Sequence, residues 1–154
     1  RLQNNTMAIK YLFLVNKQGQ TRISKYYDAV PVENRVAMEA DIIRKCLGRS
    51  DSQCHFIEYQ MHKVVYRRYA SLYFIVGIDE EENELATSEI IHFMVETMDR
   101  YFGTVCELDI MFNFDKVHLL IDEVIANGCI VEGNSRNVLG PLQLLDQHSN
   151  KEYQ

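Results

Sequence analysis

The chain has 154 residues, of which 47% are hydrophobic and 25% are charged, and its formal net charge is −6. This length and composition predict one folded domain, with a core large enough to need no disulfide or metal. The acidic balance disfavours nucleic-acid binding and direct docking on anionic lipid, since both need clustered lysine and arginine. Four widely spaced cysteines without a C-x-x-C pair indicate a reduced, cytosolic setting.

The two ends of the chain lack the periodicity of folded elements. We expect residues 1–6, RLQNNT, to be a disordered extension or an expression remnant, with Met7 as the natural start. Residues 7–148 are predicted to form a single domain, followed by a flexible tail at 149–154. The first apolar run, AIKYLFLV, is too short to span a bilayer and contains Lys10.

The first third of the chain predicts a hairpin and a helix. Ala8–Val15 and Thr21–Tyr27 read as two strands joined by a polar turn with Gly19 at its centre. Pro31 suits the first turn of a helix, and Gly48 suits its end. The spacing predicts that the buried face of this helix contains Val36, Ala40, Ile43 and Leu47.

A second β-rich block runs from His55 to Asp79. Its run KVVYRRYASLYFIVGID is too long for one strand, and a bend near Ala70 and Ser71 would divide it in two. Neighbouring strand residues point to opposite faces, so Arg67 and Arg68 cannot share a direction.

The remainder of the chain reads as helical. Asn83 is a good N-cap for a helix with apolar residues every three or four positions, which Gly103 ends. A second helix is predicted over Glu107–Ala126, then a short extended piece, CIVE, and a last helix capped at Ser135 and interrupted at Pro141. Strand hairpins followed by helices predict an α+β fold, with helices packed on an antiparallel sheet.

Motifs for chemistry are scarce. The histidines and cysteines do not have metal-ligand spacing, and neither a P-loop nor a G-x-G-x-x-G motif occurs. Cys106 precedes a helix, where a thiol can become reactive, but a buried cysteine opening an amphipathic helix is the simpler reading. We therefore predict no catalytic residue, no metal site, no cofactor and no enzymatic activity.

Three stretches carry a family resemblance: YRRYASLYF, ENELATSEIIHFMVE and FGTVCELDIMFNFDK. Here the sequence resembles the sigma (small) subunits of the heterotetrameric clathrin-adaptor family, and the likeness extends from Met7 to about Leu145. Within that family, NKQGQTR, NGCIVE and PLQLLD look most like the sigma chain of the fourth adaptor complex, while YASLYF and FGTVCELDI also occur in the sigma chain of the first.

The resemblance implies a longin-like fold, in which helices sandwich a five-stranded antiparallel sheet. It also implies a cytoplasmic protein, peripheral on trans-Golgi network and endosomal membranes, whose membrane contact is indirect. The implied partners are two large adaptor chains (epsilon-type and beta-type), a medium mu chain and transmembrane cargo tails, with no nucleic acid.

Sigma chains help select cargo for vesicles, and several read the acidic dileucine signal [DE]-x-x-x-L-[LI]. By resemblance, Arg22 matches a basic residue near the acidic end of that signal. We hypothesise that Arg67 and Arg68 pair with acidic groups of this chain or a large chain. The positions that match the leucine pocket are Ala70, Leu72, Val95, Val105 and Leu108, with Ile110 nearby.

Two other functions remain open at this point. The chain could be a purely structural subunit without cargo binding, its pocket vestigial or covered by partners. It could also be a longin-like module that regulates a small GTPase or binds a SNARE. The printed sequence ends at HSNKEYQ and contains neither a C-terminal heptad segment nor a membrane anchor, which disfavours a longin SNARE.

Overall fold

The computed structural model describes residues 9–126. The expectations for residues 1–6, Met7, CIVE, the helix after Ser135 and the tail at 149–154 fall outside these described residues. The elements, in chain order, are β1 (Ile9–Asn16), β2 (Thr21–Tyr26), α1 (Val32–Leu47), β3 (Phe56–Tyr59), β4 (His62–Tyr69), β5 (Leu72–Asp79), α2 (Glu84–Phe102), α3 (Glu107–Phe112) and α4 (Phe114–Ala126).

The five strands form one sheet in the order β2-β1-β5-β4-β3, and every neighbouring pair is antiparallel. This confirms the predicted α+β class with a five-stranded antiparallel sheet. The predicted division of the long β-rich run is also confirmed, since Tyr69 pairs with Leu72 across a two-residue turn at Ala70 and Ser71.

Helix α1 packs on one face of the sheet. The shared core combines helix residues with alternate strand residues: Tyr11, Phe13, Val15, Ile42, Ile43, Cys46, Tyr59, Val64, Tyr66 and Ile75. The predicted helix face is confirmed at Ile43, which is buried, and at Leu47, which packs against this core. It is wrong at the N-terminal end, because Val36 is 78% exposed and Ala40 is also exposed. Apolar residues at three- and four-residue spacing fit two overlapping stripes on this helix, and the sheet selects the stripe that contains Ile42 and Cys46.

The opposite face of the sheet is also buried. Leu12, Leu14, Val65 and Phe74 have almost no exposed surface. Arg67 pairs in register with Phe74, so it lies at the end of this face, where it is half-buried. The other arginine, Arg68, pairs with Tyr73 on the α1 face and is exposed. Alternation along the strand therefore separates the two guanidinium groups as the sequence predicted.

The described residues cluster into two compact units that divide within α2, between Ser88 and Glu89. Asn83 caps α2 as predicted, because its side-chain oxygen accepts the backbone N–H of Leu85 at 2.8 Å. Gly103 follows the helix with a φ of 85°, the left-handed conformation that ends many helices. The expectation of a single domain over 7–148 stays a prediction.

The predicted single helix over Glu107–Ala126 is wrong, since the structure has two helices that meet at Asn113. The Asn113 backbone leaves the helical region, and its side-chain amide donates to the Asp109 carbonyl at 2.9 Å. Asparagine competes for backbone hydrogen bonds in this way, which breaks a helix that the apolar periodicity alone would continue.

Tyr11 and Gly77 make the closest approach at the centre of the sheet. They are register partners on β1 and β5, and a Cβ built on Gly77 would lie 2.3 Å from the Tyr11 ring. Only a residue without a side chain fits there. The ring also stacks on Phe13 at a centroid distance of 4.7 Å, and its hydroxyl lies 2.7 Å from Nε2 of His62.

We predict that Gly77→Ala lowers the free energy of unfolding of the full chain by about 3 kcal/mol, because the new methyl group overlaps a ring held by packing on all sides. Chemical denaturation measures the loss. In a Tyr11→Leu background the same change should cost about 1 kcal/mol or less, since the obstructing ring is gone. Equal costs in the two backgrounds would show that the ring contact is not the cause.

His62 predicts a dependence of stability on pH. Burial lowers the pKa of its imidazole, and the nearby charge of Lys10 lowers it further, against an opposing effect of Asp79 and Asp28. The unfolded chain therefore takes up a proton near pH 6.5 that the folded chain resists. The contribution of His62 to the free energy of unfolding is thus fully present above pH 6.5 and is lost as the pH falls below it.

The expected result is a decrease in the free energy of unfolding between about pH 7 and pH 5, which His62→Gln makes shallower. Urea titrations across this range measure the slope. His55, whose side chain is exposed, is the matched control, and His55→Gln should leave the slope in place. An unchanged slope in His62→Gln would assign the pH dependence to other groups.

Candidate functional site

The β4–β5 hairpin carries three residue types that the sequence singled out: an arginine pair, an alanine and a leucine. Arg68 donates from Nε to the Ala70 carbonyl at 3.1 Å, and its guanidinium carbon lies 5.7 Å from the ring centroid of Tyr73. Within residues 9–126, Arg67 and Arg68 form no ion pair. Pairing of these arginines with acidic groups, of a large chain or of residues outside 9–126, therefore stays a prediction.

Ala70 and Leu72 stand at the end of this hairpin. Ala70 is exposed at the first position of the turn, with a φ of 53° that non-glycine residues seldom adopt. Leu72 opens β5 and is fully buried. An incoming ligand could touch Ala70 directly, but Leu72 presents no free surface.

The remaining candidate pocket residues belong to the second compact unit. Val95 lies on α2 and is 4% exposed, while Val105 and Ile110 are also buried. Leu108, on α3, is 58% exposed. Only Leu108 of these four is accessible to a ligand without movement.

Hydrogen bonds fix the backbone of the segment that carries Val105. The Val105 N–H donates to the Asp99 carboxylate at 2.8 Å, and the Cys106 N–H donates to Asp109 at 2.9 Å. Cys106 is the N-cap of α3 and its sulfur accepts a backbone N–H in a capping box with Asp109. The thiol thus has a structural role at the helix start, as the simpler reading predicted, although Cys106 is half-buried rather than buried.

An exposed apolar patch lies where α3 meets α4. Phe112 is 80% exposed, and the patch, defined by its exposed side chains, consists of Leu108, Met111, Phe112 and Phe114. The prediction of one continuous helix over Glu107–Ala126 gave no indication of this patch, because the patch lies where that helix is broken. Asn113 is the residue that could have indicated this patch. Asparagine prefers helix ends and turns, and here it lies between Phe112 and Phe114.

Arg22 lies on β2, at one edge of the sheet. It is half-buried, and one guanidinium nitrogen donates to the Gln20 side-chain oxygen at 3.2 Å. Gln20 in turn accepts from the Asn16 side-chain amide at 2.8 Å. This chain of hydrogen bonds orients Arg22 beside the first turn and leaves part of its charge accessible.

Neither a metal cluster nor a reactive thiol at Cys46 is found among the described residues. Within residues 9–126, no three His, Cys, Asp or Glu side chains are placed to share a metal ion. Burial raises the pKa of the Cys46 thiol to about 12, so this cysteine stays protonated near neutral pH. None of the helices that the structure describes has the length and apolar character needed to cross a bilayer.

Comparison with known proteins places these features in a family. The model of the family described as "clathrin adaptor complex small chain" matches residues 8–149. Three relatives span most of the chain. The AP-4 complex subunit sigma of Arabidopsis thaliana is 55% identical over 92% of this chain and 99% of its own length. The human AP-4 complex subunit sigma-1 is 53% identical over 92% and 98%. The AP-1 complex subunit sigma-1 of Saccharomyces cerevisiae is 49% identical over 90% of each chain.

The fold has a counterpart in a large assembly. A chain in a homology model of the full-length AP-3 complex, in a stretched open conformation, aligns with a TM-score of 0.75 and 25% identity. The alignment covers 94% of this chain and 96% of that one. This likeness agrees with the longin-like fold that the resemblance implied. The chain is a member of the clathrin adaptor complex small chain family.

Proposed function

We propose that this chain is the sigma subunit of an AP-4-type heterotetrameric adaptor, stabilising its core at the cytoplasmic face of trans-Golgi network and endosomal membranes. Its partners would be an epsilon-type and a beta-type large chain and a medium mu chain. The observation that carries the proposal is the 52–55% identity to animal and plant AP-4 sigma subunits over 92% of the chain. The family acts in vesicle trafficking and is in general non-enzymatic, so the proposal includes no catalysis.

The exposed apolar patch on α3 and α4 supports a role inside an assembly. Phe112 is 80% exposed, so its side chain contributes little to the fold, and clustered exposed apolar residues typically mark protein interfaces. Burying one phenylalanine side chain at an interface contributes about 2 kcal/mol. We expect a large adaptor chain to cover the part of this patch around Phe112 and to leave Leu108 and Met111 accessible.

Co-expression tests this assignment. The chain should co-purify with AP-4-type large chains and, much less, with large chains of the other complexes. Phe112→Asp should reduce recovery of the complex at least about tenfold, because the new carboxylate would have to be desolvated at the contact. Circular dichroism of the variant should be unchanged, since Phe112 is 80% exposed.

Val36→Asp is the matched control for that experiment. Val36 is 78% exposed on α1, in the other compact unit, and its change should leave assembly intact. Failure of the unmodified chain to assemble with any large chain would overturn the sigma assignment. Normal assembly of Phe112→Asp would remove only the proposed role of the patch.

We further propose that the assembled subunit reads acidic dileucine signals on cargo tails. The pocket residues would be Ala70, Leu72, Val95, Val105, Leu108 and Ile110, with Arg22 near the acidic end of the signal. Burying two leucine side chains would contribute about 2 kcal/mol each, and a partly exposed arginine–carboxylate pair less than about 1 kcal/mol. Ordering an extended tail opposes this gain, so we expect an affinity of about micromolar.

A purely structural subunit is the second candidate, and burial is the observation that favours it. Leu72, Val95, Val105 and Ile110 have almost no exposed surface. A leucine side chain could reach them only after these residues become accessible, and that rearrangement would consume part of the binding free energy.

A pair of alanine substitutions on α3 separates the two candidates. Leu108→Ala in the assembled core should weaken binding of an acidic dileucine peptide about tenfold, since it removes the accessible apolar contact. Met111→Ala, an exposed residue on the same helix outside the proposed pocket, should leave the affinity unchanged. Neither change adds a charge or a buried cavity, so both should preserve assembly.

Fluorescence anisotropy with the dileucine peptide and its double-alanine form provides the measurement. Val95→Asp cannot replace Leu108→Ala in this experiment. Val95 is 4% exposed, so the buried carboxylate would destabilise the fold. Equal binding of the two peptides, or binding of neither, would leave the structural role alone.

A further inference from the structure

Two strand connections lie side by side at one end of the five-stranded sheet: the turn between β1 and β2 and the turn between β4 and β5. They are neighbours because Asn16, at the end of β1, pairs in register with Leu72, at the start of β5. Residues 16–22 and 67–73 form this end and contain no aspartate or glutamate. We call these two segments the basic end of the sheet. Their cationic residues are Lys17, Arg22, Arg67 and Arg68.

Three of these cations have no acidic partner in the part of the chain that the structure describes. Lys17 is exposed in the β1–β2 turn and, like Arg67 and Arg68, forms no ion pair within residues 9–126. Arg68 donates to the carbonyl of Ala70, a neutral group that leaves the guanidinium charge unbalanced. Charges that the fold does not neutralise attract a partner of the opposite sign.

The opposite end of the sheet is acidic. Asp79 ends β5, and Asp28 lies beside the start of β1, where its backbone N–H donates to the Lys10 carbonyl. The Lys10 ammonium is already paired with both of these carboxylates. Three further carboxylates follow β5 directly: Glu80, Glu81 and Glu82. The net charge of −6 is therefore an average over a sheet with two unlike ends.

The two ends are far enough apart to act separately. Strand β5 joins them with eight residues, which span about 25 Å. The Debye length at physiological ionic strength is about 8 Å. An anionic surface that touches the basic end is therefore largely screened from the acidic end. The acidic composition of the whole chain thus does not oppose docking of this end on anionic lipid.

The cations are spread out rather than gathered around one point. Arg67 and Arg68 point to opposite faces of the sheet, because they are neighbours on one strand. Register pairs place Arg68 and Thr21 in one row across four adjacent strands, about 14 Å wide. Lys17 and Arg22 flank the Thr21 side of this row. A single carboxylate or phosphate could not contact all four cations, whereas an extended anionic surface could.

The position of Ala70 indicates what kind of surface this is, in a step that rests on the proposed function. Ala70 is exposed in the β4–β5 turn and belongs to the residues proposed to read cargo tails. The tail of a transmembrane cargo protein emerges from a bilayer, so a subunit that holds it at Ala70 presents its basic end to the lipid headgroups. Repulsion of the acidic end from the same headgroups favours the same orientation.

We propose that the basic end of the sheet docks directly on an anionic bilayer, with Lys17, Arg67 and Arg68 against the lipid headgroups and the acidic end towards solvent. This contact goes beyond the indirect membrane contact that the family resemblance implied. Each lysine or arginine near an anionic surface raises the partition coefficient about fivefold. Three or four cations therefore give weak binding, half-complete at about 5 mM accessible lipid, and the contact would act together with others made by an assembled complex.

Flotation of the full chain with vesicles measures this contact and requires no other adaptor chain. Phosphatidylcholine vesicles that contain about 30% phosphatidylserine should bind the chain, and pure phosphatidylcholine vesicles should not. Vesicles with about 30% phosphatidylglycerol should bind it equally well, because the proposed contact reads charge and not a particular headgroup. Raising the salt concentration to about 0.5 M should abolish binding.

Substitutions at the two ends of the sheet sharpen the test. Lys17→Gln and Arg68→Gln, at exposed positions, should each weaken binding about fivefold. Gln18→Lys, also exposed in the β1–β2 turn, should strengthen it about fivefold. Glu81→Gln is the matched control, because it makes the same change in net charge at an exposed position beside the acidic end. It should alter binding less than about twofold, since about three Debye lengths separate it from the lipid.

Three results would overturn the proposal. The first is no preference for anionic vesicles up to about 10 mM lipid. The second is an equal gain from Gln18→Lys and Glu81→Gln, which would show that net charge and not the basic end decides. The third is loss of co-purification with a large adaptor chain in Lys17→Gln or Arg68→Gln, which would assign the basic end to that chain. Failure of the unmodified chain to assemble would bear on the sigma assignment alone, because flotation uses the isolated chain.

Discussion

The pairing of β1 with β5, closed by the Tyr11 ring over Gly77, is the constraint on which the first compact unit depends. These two strands occupy the second and third positions of the five-stranded sheet, and their facing residues are almost fully buried. The absent side chain at Gly77 lets the ring lie flat against the sheet, stack on Phe13 and reach His62. A large aromatic group thus covers a glycine that would otherwise leave a gap in the core.

The position of the Tyr11 ring also shapes the surface above it. Tyr11 and His62 line a cleft of about 610 Å³ beside α1, so this cleft rests on the core of the sheet. Lys10, the residue before Tyr11 on β1, lines the same cleft and holds Asp28 and Asp79 at 2.9 and 3.1 Å. A rigid strand therefore supports both the apolar floor and the charged rim of that cleft.

The candidate functional residues fall into a buried group and an exposed group. Most of the residues matched to a leucine pocket serve as core in this conformation, whereas Leu108 and the phenylalanines of α3 and α4 lie in solvent. Exposed apolar side chains of this kind are costly in a free protein and reasonable in a subunit that is covered by larger partners. The same chain can thus be stable in its core and incomplete at its surface, as expected for a member of a multisubunit adaptor family.

Local periodicity, turn chemistry and residue identity were enough to predict the strands, the hairpin turn at Ala70 and Ser71, the cap at Asn83 and the family. Which stripe of α1 is buried depends on the sheet that packs against it, since Val36 and Ile42 both fit a helical spacing and only Ile42 meets the sheet. The tertiary structure also decided that Leu72 is enclosed while Leu108 and Phe112 are exposed. Burial is a property of what surrounds a side chain, and no local pattern records it.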